Sequence, residues 1–425
     1  MKRKDFIRNS ALALAGFTIV PRHVLGGSNF LAPSDRINLG YIGVGKQVGT
    51  LLNGLGKLPE TMVIAASDVD SRKLAHFITQ ANKVNATKSN NNVEGYRDYR
   101  ELLERKDIDA IVVASPDHWH ALHVIDSARQ GKDIYCEKPL ALTIAEGRAM
   151  CDAVKKYKRV LQTGSMQRSQ YYFRQAVELI RNGYIGDVHT VNVHVGEPVK
   201  QCDLPTLPTP DYLDWDMWVG PSLYRGYNPE LAPPLEAPQW AGWRWYRDFG
   251  GGYINDWGAH MFDIIQWALD KDHSGPTEFI PPTTPGAAEG LVFKYAKGPT
   301  VYHKNWGETN AIQFIGTEGK VEVSRSFLRC DNPKLQDLKF TAKDKRVHFS
   351  DNHYADWITA IKNRSNPVAS VEVGHRTATV CNAANISYEL QKPLKWDPKK
   401  ELFDNHFANN MITRPYRGNW DFTKF

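Results

Sequence analysis

The chain has no apolar run long enough to cross a membrane, no paired cysteines and little charge excess in its body. The stretch Ala11 to Val20 is too short to span a bilayer comfortably. That excludes a membrane anchor there. The five cysteines, Cys136, Cys151, Cys202, Cys330 and Cys381, are odd in number and widely scattered. Without a CxxC pair they define neither a disulfide framework nor a metal site. The formal charge of +6 falls to +2 once residues 1–27 are set aside, because Lys2, Arg3, Lys4, Arg8 and Arg22 stand there against Asp5 alone. No basic field remains to hold nucleic acid. Internal repeats and low-complexity segments are absent as well.

What is present is a soluble globular composition, 42% apolar and 24% charged, in 425 residues. That length is large for one hydrophobic core and predicts two domains. The 12 tryptophans concentrate between Trp215 and Trp267, where they serve either as core or as stacking faces for sugar rings. Residues 1–27 read as an export segment, with a basic start, an apolar stretch, then Pro21 and Gly26-Gly27. Arg3-Lys4-Asp5-Phe6-Ile7-Arg8 resembles a twin-arginine signal with Lys in the second arginine position. The expected location is therefore the periplasm of a Gram-negative bacterium. The alternative is an uncleaved amphipathic N-terminus on a cytoplasmic protein.

From Ile37 short apolar runs alternate with amphipathic stretches. Strands are expected at Ile37 to Ile42, Met62 to Ala66, Ala110 to Ala114, Asp133 to Cys136 and Val160 to Thr163. Helices are expected at Gln47 to Leu55, Ala121 to Arg129 and Thr143 to Lys156. Such alternation implies a doubly wound parallel sheet with right-handed crossovers over residues 36–165. Beyond Ser169 the texture changes. Tyr172 to Arg181 reads as a helix, and Val188 to Val195 alternates in period two, as a half-covered strand does. Pro-rich connections at Pro205 to Pro210 and Pro229 to Pro238 are of a length often reserved for function. Further strands are expected at Gly290 to Tyr295 and Ala311 to Ile315, and a late helix at Thr377 to Leu390. Residues 166–425 therefore read as an α+β domain with a mostly antiparallel sheet.

The chemistry collects at strand ends. Gly43-Val44-Gly45 follows the first strand and opens a helix, a turn in which backbone can approach a pyrophosphate. The third glycine of the usual pattern is replaced by Val48, with Gly49 one place later. Asp68 ends the second strand, where an acid receives the ribose hydroxyls of NAD. Arg72 nearby leaves NADP open. Ser115-Pro116 ends the next strand at the same sheet edge. His118 and His120 lie just beyond, lacking a third ligand for a metal, and read as helix caps or cofactor contacts. Cys136-Glu137-Lys138-Pro139 ends the fifth strand. Taken alone it could be a charged surface turn, but the converging strand ends put Lys138 where the nicotinamide end of a dinucleotide arrives. An ammonium there can hold a reacting hydroxyl or stabilise an alkoxide. Downstream, Gly250-Gly251-Gly252 precedes Asp256-x-x-x-His260, a spacing that puts both side chains on one helix face.

Glu137-Lys138-Pro139, the glycine turn and the Asp256, His260 pair together resemble the Gfo/Idh/MocA family, the glucose–fructose oxidoreductase and inositol dehydrogenase group, from about Ile37 to near the C-terminus. The resemblance implies a Rossmann domain followed by a domain whose large antiparallel sheet shields the cofactor. It implies catalytic roles for Lys138, Asp256 and His260. His260 would be the base oriented by Asp256, although Lys138 could exchange roles with it. Cofactor contacts are expected at Gly43, Gly45, Asp68, Ser115, Pro116, His118, His120, Glu137 and Lys138. Arg168, Arg244 and Tyr253 are candidate sugar contacts. Phrases such as Leu213-Asp214-Trp215-Asp216 and Trp243-Arg244-Trp245 look like an exported branch of the family. The expected activity is NAD(P)-dependent oxidation of a sugar, glycoside or polyol, with glycoside cleavage on a retained cofactor or a non-catalytic sensor as alternatives. By analogy the chain would form a dimer or tetramer.

Overall fold

The computed structural model describes residues 35–88 and 92–424. The expected export segment lies outside them. Among the described residues no helix is long and apolar enough to cross a membrane.

The first layer is built by β1 (Ile37–Ile42), α1 (Val48–Gly54), β2 (Thr61–Ser67), α2 (Ser71–Asn85), β3 (Glu94–Tyr96), α3 (Tyr99–Glu104), β4 (Ala110–Val113), α4 (His120–Arg129), β5 (Asp133–Cys136), α5 (Ile144–Lys156) and β6 (Leu161–Thr163). All six strands are parallel, in the order β3-β2-β1-β4-β5-β6. The chain reverses direction across the sheet between β1 and β4, and ligands bind at that switch point in open α/β sheets. Every residue of β4 and β5 is buried, as expected for parallel strands covered on both faces. Helix α2 lies where no helix was expected from the sequence. Its stretch is polar, and only Leu74, Phe77, Ala81 and Asn85 are buried. It is started by the Asp70 carboxylate, which accepts from the Arg72 and Lys73 amides.

The chain then forms α6 (Tyr171–Arg181), β7 (Val188–His194), α7 (Trp215–Val219), α8 (Gly252–Asp256), α9 (Gly258–Ala268), β8 (Glu278–Ile280), β9 (Val292–Lys294), β10 (Thr300–His303), β11 (Ala311–Gly316), β12 (Gly319–Val323), β13 (Leu328–Cys330), α10 (His353–Asn363), α11 (Val371–Leu390), β14 (Leu394–Asp397), β15 (Leu402–Phe403) and α12 (His406–Asn410). Nine strands make the second sheet, in the order β13-β12-β11-β7-β10-β9-β8-β14-β15. The sheet is antiparallel except where β10 runs parallel to β7. Its covered face packs on α6, α9 and α11 through Phe173, Phe262, Ile265, Phe293, Phe314 and Val380.

Two helices tie the layers together. Helix α11 begins at Val371, six residues before the expected start. Gly374 concealed that turn from the sequence pattern. There is no room for a side chain at Gly374, because a Cβ would stand 2.2 Å from Thr163 Oγ1. An i, i+4 pair, Arg376 Nε to Glu372 at 2.7 Å, supports the same turn. Helix α10, unexpected from the sequence, returns to the first sheet. There Trp357, Ile358 and Ile361 complete a core with Leu39, Tyr41 and Tyr135.

Trp357 is 0% exposed. Its replacement by Ala should lower the unfolding free energy by about 3–5 kcal/mol, read as a fall in the denaturant midpoint at unchanged slope. A loss below about 1 kcal/mol would mean that α10 does not plug this core.

Candidate active site

Gly43 turns the chain out of β1 with φ +80, and a Cβ there would lie 2.5 Å from Ser115 Cα. Only glycine lets β1 and β4 deliver their ends so close together. Gly45 differs, because nothing lies within 4 Å of where its Cβ would be. The turn therefore has open space where a ligand's backbone-facing edge would go. At the edge of that space the Asp68 carboxylate accepts from the Val44 amide at 2.7 Å and the Asp70 amide at 2.8 Å. Burial raises the Asp68 pKa, while Lys73 and the two amides oppose the rise. Ser115 Oγ meets His123 Nδ1 at 3.0 Å.

These groups line a cleft of about 350 Å³. Gly43 to Gly49, Asp68 to Asp70, Ser115 and Pro116 form one wall, and residues between Leu231 and Arg244 from the second layer form the other. Lys46 ties the walls together, donating to the Pro238 carbonyl and lying 5.2 Å from the Trp240 ring centre. The Pro-rich connection is thus a strap across the cleft. The N-cap of α1 carries no side-chain hydrogen bond, and the Val48 and Thr50 amides turn back to the Gly45 and Gln47 carbonyls. Open space at Gly45 and an anchored carboxylate at the edge of the cleft together fit a dinucleotide.

At the far end of the cleft, Glu137 accepts from Gln47 Nε2 at 3.0 Å. Burial raises its pKa, against the charge of Lys138. The Lys138–Pro139 peptide is cis. Lys138 Nζ donates to Asp256 Oδ1 at 2.5 Å and to the Asp256 carbonyl at 2.9 Å. This ion pair joins the end of β5 to α8. Burial opposes the charge on Asp256, but Lys138, then Arg244 and Arg325, hold its pKa below the usual carboxylate value. Gly252 makes the approach of α8 possible. Its φ is +69, and a Cβ would meet the Val199 amide at 2.6 Å.

His260 is 5% exposed. Burial pushes its pKa well below 6.5, and the charges of Lys138 and Arg325 push it further. It is therefore a neutral imidazole at neutral pH. The expected Asp256–His260 pairing does not form. The helix breaks at Trp257, leaving Asp256 at the end of α8 and His260 in α9. Asp256 turns to Lys138, and His260 Nε2 meets the Arg325 guanidinium at 3.1 Å.

Other expected contacts are corrected as well. His118 and His120 are 0% and 1% exposed; His118 Nε2 meets the Trp218 carbonyl, and the two ring nitrogens of His120 meet the carbonyls of Pro139 and Ser115. They brace the strand ends from beneath and do not line the cleft. Arg168 is 1% exposed and held by Asp263 at 2.8 Å and Asp272 at 2.7 Å. It ties the turn after β6 to α9 and is closed to a sugar. Arg244 does reach the cleft, held at 4.3 Å and 5.1 Å from the ring centres of Trp243 and Trp240. Tyr253 is exposed and stacks on Trp245 at 4.1 Å, three residues before Asp256. Arg72 lies over Tyr212 at 3.5 Å, outside the cleft lining.

Three neighbours were not expected from the sequence. His123 lines the cleft. Asp117 is buried, and burial raises its pKa well above the usual range, against Arg244 and Lys138. Arg325 arrives from the turn between β12 and β13. Asp117 was findable, since it sits between two strand-end residues already singled out. Arg325 had no local signal, because only the packing of the second sheet brings it near His260.

Fold and cleft define a two-domain, nucleotide-dependent class of enzyme. The description "Oxidoreductase family, NAD-binding Rossmann fold" matches residues 37–165, and "Oxidoreductase family, C-terminal alpha/beta domain" matches residues 189–422. The chain belongs to the Gfo/Idh/MocA oxidoreductase family, and its first domain is that family's NAD-binding domain. It is 25% identical to the rhizopine catabolism protein MocA of Rhizobium meliloti over 65% of this chain and 71% of that one. It is 31% identical to myo-inositol 2-dehydrogenase of Thermotoga maritima over 38% of this chain and 46% of that one, so that alignment spans about half of the relative. In fold it is similar to myo-inositol dehydrogenase from Lactobacillus casei, solved with NAD(H) and myo-inositol. The TM-score is 0.57 at 21% identity, covering 85% of this chain and 97% of that one.

The open space at Gly45 yields a test. Gly45→Ala should leave thermal stability unchanged yet weaken NADH binding by on the order of tenfold, about 1.4 kcal/mol, measured by titration of NADH fluorescence. Unchanged affinity would place the pyrophosphate elsewhere.

Proposed function

We propose that this NAD-dependent oxidoreductase interconverts a ring hydroxyl and the corresponding ketone of a sugar, glycoside or polyol. The observation that carries this reading is a neutral His260 close enough to the Lys138–Asp256 ion pair for the ammonium's charge to depress its pKa. In oxidation His260 Nε2 accepts the hydroxyl proton, since it is the uncharged base of the group. Lys138, aimed by Asp256, donates a hydrogen bond to the same oxygen and stabilises its developing negative charge. NAD, when bound along Gly43, Gly45, Asp68 and Ser115, supplies the hydride acceptor. Tyr253, backed by Trp245, offers an aromatic face beside Asp256 for the apolar side of a sugar ring.

The strap favours a second reading. Leu231 to Arg244 closes over the cleft and is tied to Lys46, which supports a cofactor that stays bound and is recycled, as in oxidation followed by elimination of a glycoside. Mass spectrometry of nucleotide released on denaturing the purified protein tests this directly. Recovery of close to one nucleotide per chain supports retention, and recovery of none overturns it.

Lys138→Ala and His260→Ala should each lower turnover by about 10²–10⁴-fold, the usual worth of a positioned acid–base group. Near-normal turnover in both would remove the assignment. The pH profile is a separate check. A base with a lowered pKa stays neutral as pH falls, so kcat/KM for oxidation should hold below pH 6.5 rather than break there. Lys138→Gln removes one depressing charge and should move the acid limb to higher pH.

A further inference from the structure

Arg325 has no part in the mechanism above, although it touches the proposed base. An arginine carries five N–H donors and no acceptor. Its 3.1 Å contact therefore makes His260 Nε2 the acceptor, and the ring proton sits on Nδ1, which is buried without a partner. The lone pair that must receive the hydroxyl proton is already in use. A substrate can engage His260 only if Arg325 gives way.

The setting allows this movement. Arg325 is an exposed residue of the β12–β13 turn, and its guanidinium carbon lies 4.6 Å from the Trp257 ring centre. Several inward-facing arginines are paired with carboxylates: Arg168 with Asp263 and Asp272, Arg148 with Glu372 and Glu401, Arg414 with Glu146. Among the described residues Arg325 has no carboxylate within ion-pair distance, a lack it shares with Arg244 and Arg72. The single carboxylate of the Lys138 ion pair, Asp256, is taken by Lys138. Arg244 lines the nucleotide cleft, near enough to Asp256, Asp117 and Glu137 for their charges to act on it. Arg325 touches His260, outside that lining, so an anionic group on a substrate held by His260 is within its reach.

We propose that the substrate is an acidic sugar, and that Arg325 binds its carboxylate in place of His260 Nε2, freeing that nitrogen as the substrate seats. A planar guanidinium matches a carboxylate in bidentate geometry. The inference rests on the sugar-oxidising reading above and deepens it by naming the substrate's charge.

The test uses the full chain with NAD and three probes: a methyl glucuronide, the matching neutral methyl glucoside, and a sugar phosphate. Binding is read by calorimetry and turnover by NADH formation, for the parent, Arg325→Gln and Arg325→Lys, with thermal unfolding checking that each variant is folded. The uronide should bind the parent at least tenfold tighter than the glucoside. Arg325→Gln should erase that ratio mainly through KM, and Arg325→Lys should restore part of it. Equal binding in the parent, a ratio that survives Arg325→Gln, a stronger preference for the phosphate, or no Arg325-dependent binding of any acid would each overturn the proposal. The two readings fail separately. Oxidation of neutral glycosides with no acid preference sinks only the acidic substrate. Arg325-dependent uronide binding with no oxidation of any probe sinks only the reaction.

Discussion

The site depends on one ion pair between the halves of the molecule. Lys138 comes from the end of a parallel strand and Asp256 from a five-residue helix in the second layer, and they meet at 2.5 Å. Each is largely buried, so each charge alone would be costly, and together they are tolerated. The pair keeps an ammonium fixed at the end of the nucleotide cleft. Burial lowers the pKa of His260, and that fixed charge lowers it further.

Around this pair the fold supplies close approach rather than flexibility. Gly43 lets β1 and β4 meet at the switch point, and Gly252 lets α8 come down on the strand ends. His118 and His120 fill the space beneath, each satisfying a carbonyl of the loops that carry the site. Arg168 does the same from the side of α9. These three are charged or chargeable residues put to structural use.

Much of the first sheet was legible in the sequence, because parallel strands buried on both faces are continuous apolar runs. Ile37 to Ile42 and Asp133 to Cys136 coincide with their strands for that reason. Helices α2 and α10 were not legible. One shows a thin apolar stripe in a polar segment, and the other sits far along the chain from the sheet it completes. At the site, residues at strand ends were legible because topology gathers them whatever the details of packing. What local spacing could not give was pairing. Asp256 and His260 lie four apart, yet a break at Trp257 sends them to different partners. Arg168 has the side chain of a sugar ligand, and only its two carboxylates, distant in sequence, show otherwise. Arg325 is the converse case, a turn residue made relevant by the way β12 and β13 pack.

The return of α10 to the first sheet has a consequence for the architecture as a whole. The nucleotide-binding half is not a contiguous length of chain, since Trp357 and Ile361 reach it only after seven of the second sheet's nine strands, β7 to β13. With α11 passing between the two cores as well, the halves are clasped at two points and share an interior. The strand ends and α8 thus belong to one frame, and the strap is the wall of the cleft that no sheet strand supplies.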